Sequence, residues 1–284
     1  MRLTGRNILW LLRRSLLASL DDGCFGTAKG AAYSALLSFF PLLATSAAML
    51  VQTGAQFFSQ FIENALSQIV PPGTEDLVVQ QFRVAGSRPL WLLVVACAIS
   101  LWAASGAFKS LIEGFHAAYR IPRSRDFLHQ SGVAMALVVL SALPLVFASL
   151  LIVFGGAVER TVLHWVRVDP LWNPFAWVWQ LVTLVTRYAI ALGATALDTA
   201  SLYYFGPYRH QRWRYVWPGA ILATILWLLA TSGFAWYVRH IAHYNVMYGS
   251  VAAGIVLLVW MYLMAAIALI GCEFNAEYER SIRV

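Results

Sequence analysis

The sequence predicts an all-α polytopic membrane protein: a bundle of six transmembrane helices with interfacial amphipathic helices and both termini in the cytoplasm. Three observations predict this fold class. Of the 284 residues, 60% are hydrophobic and only 12% are charged, about half the charged fraction of an average soluble domain. Six apolar stretches are long enough to cross a hydrocarbon core about 30 Å thick as helices. Lys and Arg are concentrated in alternate connections between these stretches.

Each predicted span holds about 20 largely apolar residues. The connections are too short to fold separately, so residues 1–284 form a single membrane domain in which backbone amides bond within their own helices. The spans run approximately over 30–51, 89–108, 132–155, 179–205, 217–238 and 249–272. The longest connection, 52–88, has apolar residues at helical spacing and predicts an outer helical loop. This loop is either a pair of interfacial helices or a lid over a cavity.

The positive-inside rule gives the orientation. Fourteen Lys and Arg residues fall in the N-terminal segment, the second and fourth connections and the tail, against five in the alternate connections. Both termini are therefore expected on the cytoplasmic side. Residues 1–29 form a cytoplasmic interfacial helix in this interpretation, because its leucines recur on one side and its arginines lie elsewhere. The leucines are Leu9, Leu12, Leu16 and Leu20.

The net charge of +7 indicates anionic partners. Because the basic residues lie beside predicted spans, we expect membrane lipids with anionic headgroups at the cytoplasmic face and no nucleic acid. The three cysteines, Cys24, Cys97 and Cys272, are scattered and predict neither a disulfide framework nor a metal site. No cofactor is expected, and the sequence leaves a homo-oligomer open.

Three segments resemble the YihY/BrkB family in its first-span, second-span and C-terminal patterns. They are AAYSALLSFFPLLA at 31–44, LWAASGAFKSLIEGFHAAYRI at 101–121 and YGSVAAGIVLLVWMYLMAAIALIGCEFNAEYER at 248–280. LYYFGPYR at 202–209 and WPGAILATILW at 217–227 are similar to patterns between them, although Gly206 before Pro207 departs from the family. The resemblance implies a six-helix protein of the bacterial inner membrane. Family members have carried ribonuclease, virulence and lipid-transport labels, so the resemblance implies location rather than one activity.

Arg187 and Asp198 lie within the fourth predicted span, where a charged residue costs about 3 kcal/mol and is a candidate functional residue. Eleven residues apart, they share a helix face but are separated by roughly 16 Å along the axis, so they cannot pair. On an inward face they would suit a polar pathway. Alternatively, Arg187 snorkels to the outer headgroups, and Asp198 bonds to a neighbouring hydroxyl of its own helix.

A polar stripe in the first predicted span provides further transport-path candidates. Ser34, Ser38, Pro41 and Thr45 recur at spacings of four, three and four residues. Pro41 removes a backbone hydrogen bond and frees a carbonyl toward whatever lines that face. The alternative is that the hydroxyls bond back to their own helix or pack against another helix. Small residues such as Gly106 and Gly219 indicate tight helix contacts.

A third group of candidates lies at the cytoplasmic ends of the spans. Lys109 and Glu113 are four residues apart, Arg120 follows on the same face, and Glu273 and Asn275 close the last span. These residues either gate an inner mouth or solvate and anchor the helix ends.

These patterns favour a transporter or flippase-like protein for an anionic or amphiphilic envelope molecule, and not an enzyme. The alternative is a non-transporting scaffold that maintains envelope integrity. A ribonuclease needs a positioned acid and base beside a phosphate site. The cytoplasmic histidines, His116, His129 and His210, stand outside any such motif.

Overall fold

The computed structural model describes residues 5–52, 90–122, 128–144, 146–147, 176–209, 211–240 and 250–283. Within these ranges the chain is helical and contains no strand, which confirms the all-α prediction. Beyond Gln52, the predicted outer loop lies outside the described residues.

Seven α-helices and one 3₁₀ turn, Trp213–Tyr215, are described. The α-helices are α1 Gly5–Asp21, α2 Cys24–Gln52, α3 Leu90–Ala118, α4 Leu128–Pro144, α5 Ala176–Phe205, α6 Trp217–His240 and α7 Ser250–Arg283. Four segments in the described part are long and apolar enough to cross a membrane: Val94–Ala118, Leu181–Phe205, Trp213–His240 and Ala253–Ile282. Helix α4 is a shorter apolar helix. The six-span count stays a prediction.

Helix α7 is the centre of the packing, because it contacts α1, α2, α3 and α6. Every residue from Ala265 to Leu269 is buried. Leu269 and Cys272 join the main apolar cluster together with Phe115 and Tyr203. The helix continues to Arg283, well past the predicted span end at 272. The last turns of α7 therefore lie inside the protein rather than in solvent.

Helices α2 and α3 pack against each other through small residues. A Cβ atom added to Gly106 would lie 3.3 Å from the Ser34 hydroxyl, and one added to Gly30 would lie 3.5 Å from the Ser110 hydroxyl. Because the residue number rises on one helix as it falls on the other, the two helices are antiparallel. The close approach confirms Gly106 as a helix contact, since a side chain there would require Ser34 to shift by a few tenths of an ångström.

Helix α3 ends in a Schellman motif. The N–H of Ile121 donates to the carbonyl of His116 at 2.8 Å, the N–H of Arg120 donates to the carbonyl of Ala117 at 2.9 Å, and Arg120 has a left-handed φ of 54°. The expectation that Arg120 continues the helix face of Lys109 and Glu113 is therefore wrong. The helix ends at Ala118, and the left-handed conformation of Arg120 takes the chain off the helical path.

Helix α1 lies within the N-terminal segment predicted to be helical, but it ends at Asp21, and residues 24–29 belong to α2. It contacts α7 and α2. The side that it buries is narrow, formed by Leu11, Ser15 and Ser19, and both serine hydroxyls bond to carbonyls of their own helix. The leucine side faces away from the bundle, with Leu9 74% exposed. This leaves an apolar surface of the kind that an interfacial helix presents to lipid.

Candidate functional site

One end of the bundle brings together the four segments that the charge count assigns to the cytoplasm. We call it the basal end. Arg14 of α1 pairs with Glu277 of α7 at 2.5 Å, and Arg209 pairs with Glu279 at 2.6 Å. Arg280 donates to the carbonyl of Ala118 at 2.6 Å. The N-terminal helix, the end of α3, the 206–216 segment and the C-terminal helix are thus joined by polar contacts.

Three buried carboxyl groups form the centre of this end. Glu273, Glu277 and Glu279 are 0%, 3% and 4% exposed. Burying a charged carboxylate is costly unless a partner compensates it. Glu277 lies between Arg14 and Arg280, and Glu279 accepts from Arg209, whose guanidinium also lies 4.6 Å above the Tyr119 ring. Glu273 is fully buried, so the alternative in which it is a solvated charge at the helix end is wrong for this residue.

Asn275 is also fully buried, and it bridges α7 to the start of α6. Its Oδ1 accepts from the backbone N–H of Gly219 at 2.6 Å, and its Nδ2 donates to the carbonyl of Val216 at 2.9 Å. The N–H of Gly219 lies in the first turn of α6, where a helix has no internal acceptor. Asn275 therefore caps a helix from a different part of the chain.

Glu273 lies against the connection between α1 and α2. The Cys24 thiol donates to Glu273 Oε1 at 3.7 Å, and Asp22 also faces this carboxyl group. Burial, with a further contribution from Glu273, raises the pKa of Cys24 to about 12. A thiol with such a pKa stays neutral near physiological pH and is a poor nucleophile.

This environment predicts that Cys24 is unreactive in the folded protein. In a Cys97→Ser variant, the remaining thiols are the buried Cys24 and Cys272. We expect a thiol-reactive coumarin maleimide to label neither between about pH 7 and pH 9, and to label both after unfolding in SDS. Fluorescence of the labelled protein measures this, and labelling of folded protein that rises with pH would contradict it. The same assay reports unfolding of variants.

A groove of about 390 Å³ opens at the basal end beside the 206–211 segment. His116 of α3 ties this segment to the bundle, because its Nε2 accepts a hydrogen bond from the backbone N–H of Tyr208 at 3.3 Å. Gly206 lets the segment approach α3, since a Cβ atom there would lie 2.7 Å from the Phe115 ring. Gly206 therefore departs from the family pattern at a point where the packing requires glycine. The groove is lined by His116, His129, Gln130, Val133, Tyr204, Phe205, Gly206, Pro207, Tyr208, Arg209 and Gln211.

A second groove of about 590 Å³ adjoins the first. It is lined by Asp22, Thr27, Glu113, His116, Ala117, Ile121 and Gln130. Within the described residues, no group of three or more His, Cys, Asp or Glu side chains could hold a metal ion.

Asp198 lies inside helix α5 and is 8% exposed. Its carboxyl group faces Ser141 of α4, and its Oδ1 makes no hydrogen bond within the described part of the chain. The hydroxyls proposed as its local partners are otherwise engaged, since Thr195 donates to Ala191 and Ser201 to Leu197. Arg187, on the same helix, is half-buried, and its Nε likewise has no hydrogen-bond partner among the described residues.

The first-span stripe faces protein rather than open space. Ser38 and Thr45 are buried, and each donates at 2.8 Å to a carbonyl of its own helix, Ala35 and Pro41 respectively. Ser34 packs on Gly106. Ser34, Ser38 and Thr45 therefore fit the alternative, in which the hydroxyls bond to their own helix or pack against another helix, better than they fit a water-lined path. The acceptor for Thr45 is the carbonyl of Pro41 itself.

The structure brings the predicted candidates together only in part. Glu273 and Asn275 both lie at the basal end but contact different elements, Glu113 lines the second groove, and Lys109 and the first-span stripe belong to the α2 and α3 region. The sequence interpretation missed the residues that complete the ion pairs and the first groove. These are Arg14, Glu277, Glu279, Arg209, Tyr208 and Gln211. The spacing of Glu273 and Glu277, four residues apart at the end of an apolar helix, was a usable signal.

The helices and the basal end define the class: an integral membrane protein of several apolar helices, joined at one end by a buried polar network. The sequence model of the family described as virulence factor BrkB matches residues 16–284. The chain therefore belongs to this family, which confirms the resemblance of its motifs.

Individual relatives are distant. The chain is 29% identical over 255 residues to YfkH of Bacillus subtilis (strain 168), which is named as ribonuclease-like, and the match covers 88% of this chain and 89% of YfkH. It is 29% identical over 254 residues to a UPF0761 membrane protein of Tolumonas auensis, covering 86% of this chain and 77% of the relative. A UPF0761 membrane protein of Vibrio cholerae serotype O1 is 39% identical over 75 residues, 26% of this chain and 25% of the relative. No solved structure matches the chain.

Proposed function

We propose that this chain is a transporter or flippase-like protein for an anionic or amphiphilic molecule of the bacterial envelope. The observation that carries the proposal is Asp198. A carboxyl group that is 8% exposed inside a membrane helix, with one oxygen unbonded within the described residues, is costly to keep unless it has a role. Asp198 also lies about 10 Å along α5 from Phe205, which lines the first groove.

The proposal includes six spans in the bacterial inner membrane with both termini in the cytoplasm. Its support is the asymmetry of Lys and Arg in the sequence, together with the meeting of the basic connections at the basal end. In this arrangement the basal end faces the cytoplasmic leaflet, and the exposed leucines of α1 lie in its headgroup region. Anionic headgroups are the expected lipid partners of the basic segments.

Two other functions are weighed against it. A non-transporting scaffold is favoured by the close-packed stripe of α2, because Ser38 and Thr45 bond to their own helix. A ribonuclease, the activity that the name of the Bacillus subtilis relative mentions, is not proposed. The basal histidine His116 is held by the Tyr208 amide, and His129 packs edge-on against the Tyr208 ring. Neither contact is the acid and base pairing that such a reaction needs.

The test of transport is the substitution Asp198→Asn. Reconstituted in liposomes, the wild-type protein is expected to accelerate the exchange of fluorescent lipid analogues between leaflets, measured by dithionite quenching. Asp198→Asn should slow this exchange at least about tenfold, because the charged carboxyl group is removed while its volume is kept. Ser201→Ala is the matched control, since within the described residues the Ser201 hydroxyl on the same helix bonds to Leu197 of that helix. Its rate should equal that of the wild type.

The outcomes separate the two candidate functions. Exchange that depends on Asp198 supports the transporter. Two results together would favour the scaffold over the transporter. The wild-type protein would show no exchange activity for any of several anionic and zwitterionic lipids, and a well-folded Asp198→Asn variant would show no phenotype in cells.

A further inference from the structure

The two grooves of the basal end share a wall. Both are lined by His116 of α3 and Gln130 of α4. The first extends from this wall toward the 206–211 segment, and the second extends toward the start of α2. The grooves have volumes of about 390 and 590 Å³ and adjoin at these two residues, so we take them together as one cleft. Clefts of about 300 to 1,000 Å³ are typical of sites for small organic molecules.

The two halves are lined by different ionisable side chains. The half toward α2 holds the carboxyl groups of Asp22 and Glu113, with Glu113 exposed and Asp22 half-buried. The half toward the 206–211 segment is lined by His129 and by Arg209, whose guanidinium also pairs with Glu279. A simple anion would meet the carboxylates, and a simple cation would meet Arg209. A ligand that fills both halves needs both signs of charge within one small group.

Donor and acceptor groups of the cleft support this assignment. Arg209 offers five N–H donors, and its ion pair with Glu279 is made through Nη2. His116 accepts at Nε2 from Tyr208, so its neutral form carries the proton on Nδ1 as a donor at the shared wall. Gln211 is fixed by donation from Nε2 to the Tyr204 carbonyl at 3.2 Å, and its buried Oε1 makes no hydrogen bond within the described residues.

We propose that the cleft binds a phosphoammonium zwitterion, the chemical group shared by free phosphoethanolamine compounds and the headgroup of phosphatidylethanolamine. The ammonium lies between Asp22 and Glu113, and the phosphate lies beside Arg209 and His129. A primary ammonium donates hydrogen bonds to carboxylates, whereas a quaternary ammonium has no N–H group and phosphatidylglycerol has no cation. The inference rests on the proposed function, because it specifies the headgroup class of the amphiphilic molecule that the protein is proposed to transport.

The test measures binding to the purified full-length protein in detergent. Short-chain phosphatidylethanolamine, phosphatidylcholine and phosphatidylglycerol are compared by native mass spectrometry and by intrinsic tryptophan fluorescence. Glycerophosphoethanolamine, which has the headgroup without acyl chains, forms the fourth arm. Phosphatidylethanolamine is expected to bind tightest of the three lipids. Binding of glycerophosphoethanolamine with equal affinity would identify a free headgroup as the source, and much weaker binding would identify the lipid.

Variants assign the two halves. Glu113→Gln and Asp22→Asn should each weaken phosphatidylethanolamine binding about tenfold and leave phosphatidylglycerol binding unchanged, since only the ammonium contact is lost. Asp21→Asn is the matched control for Asp22→Asn, because Asp21 is the exposed neighbour outside the cleft lining. His129→Ala should weaken the binding of both lipids, since the phosphate is common to them. Glu113 and His129 are exposed, so these two variants are expected to fold.

Equal affinity for phosphatidylethanolamine and phosphatidylglycerol, unchanged by Glu113→Gln, would overturn the inference. This result is independent of the exchange assay. A wild-type protein that moves lipids without this selectivity contradicts the cleft assignment alone. A protein that binds the zwitterion selectively but moves no lipid contradicts the transporter and leaves the binding site in place.

Discussion

Replacement of Gly219 by alanine is expected to destabilise the protein by at least about 3 kcal/mol, a large part of the roughly 5 to 15 kcal/mol that holds a typical protein folded. Gly219 lies where α6 crosses α7. A Cβ atom there would overlap the carbonyl oxygen of Gly271 and lie 2.6 Å from the Asn275 amide. Overpacking of a core usually costs about 1 to 3 kcal/mol when side chains can move aside. Here the obstacle is backbone, so relief requires the two helices to separate.

Gly233→Ala is the matched control, because Gly233 is on the same helix and no described atom lies within 4 Å of its added Cβ. A glycine-to-alanine change at an open helix position favours the helix by up to about 1 kcal/mol. Thermal unfolding in detergent, followed by labelling of the buried thiols, should therefore show a large loss for Gly219→Ala and none for Gly233→Ala. Equal unfolding temperatures for the two variants would mean that α6 and α7 do not cross at Gly219.

The helices of this chain are predictable because their signals are local. Length, mean hydropathy and the scarcity of charges over about 20 residues decide whether a segment can cross a membrane. The all-α class follows from the same reasoning, since a membrane span satisfies its backbone hydrogen bonds within its own helix. The glycine contacts were also readable, because Gly106 and Gly219 are small residues inside spans.

The direction in which each helix faces was less predictable. Lipid is as apolar as a protein core, so hydrophobic residues do not distinguish the two sides of a span. Ser38 and Thr45 illustrate the difficulty, because a hydroxyl stripe looks the same whether it lines a path or bonds to its own helix. The structure has the second arrangement for both residues.

The ion pairs of the basal end depend on contacts between distant parts of the sequence. Arg14 and Glu277 come from opposite ends of the chain, and Arg209 is 70 residues from Glu279. A charge count places these residues near one side of the membrane but gives no pairing. The pairing explains why α7 extends beyond its predicted span. Its last turns exchange water for polar contacts with three other segments.

The arrangement also connects the core to the proposed cleft. Arg209 belongs to both, since it pairs with buried Glu279 and lines the first groove. Asp22 likewise faces Glu273 and lines the second groove. Arg209 is thus held by a buried carboxyl group of α7, which limits its conformational freedom before a ligand arrives. Such preorganisation lowers the entropic cost of binding.

Asn275→Ala is expected to destabilise the protein by about 3 kcal/mol. Asn275 is fully buried, and it is the described acceptor for the N–H of Gly219, a group without an acceptor inside α6. Truncation leaves this donor buried and unbonded, which costs about 1 to 3 kcal/mol. The Val216 carbonyl loses the Asn275 donor but still accepts from the N–H of Ala220 at 3.1 Å, so the free-energy cost at this carbonyl is smaller. The cavity left by the amide adds to the total.

Ser281→Ala on the same helix provides the comparison. The Ser281 hydroxyl donates to the carbonyl of Tyr278 within its own helix, so its removal breaks no contact between helices. Unfolding in SDS, measured by circular dichroism and by thiol labelling, should shift strongly for Asn275→Ala and by less than about 0.5 kcal/mol for Ser281→Ala. Equal shifts would show that Asn275 does not cap α6. Because the partner residues are 56 positions apart, this result would also test the packing of α7 against α6 directly.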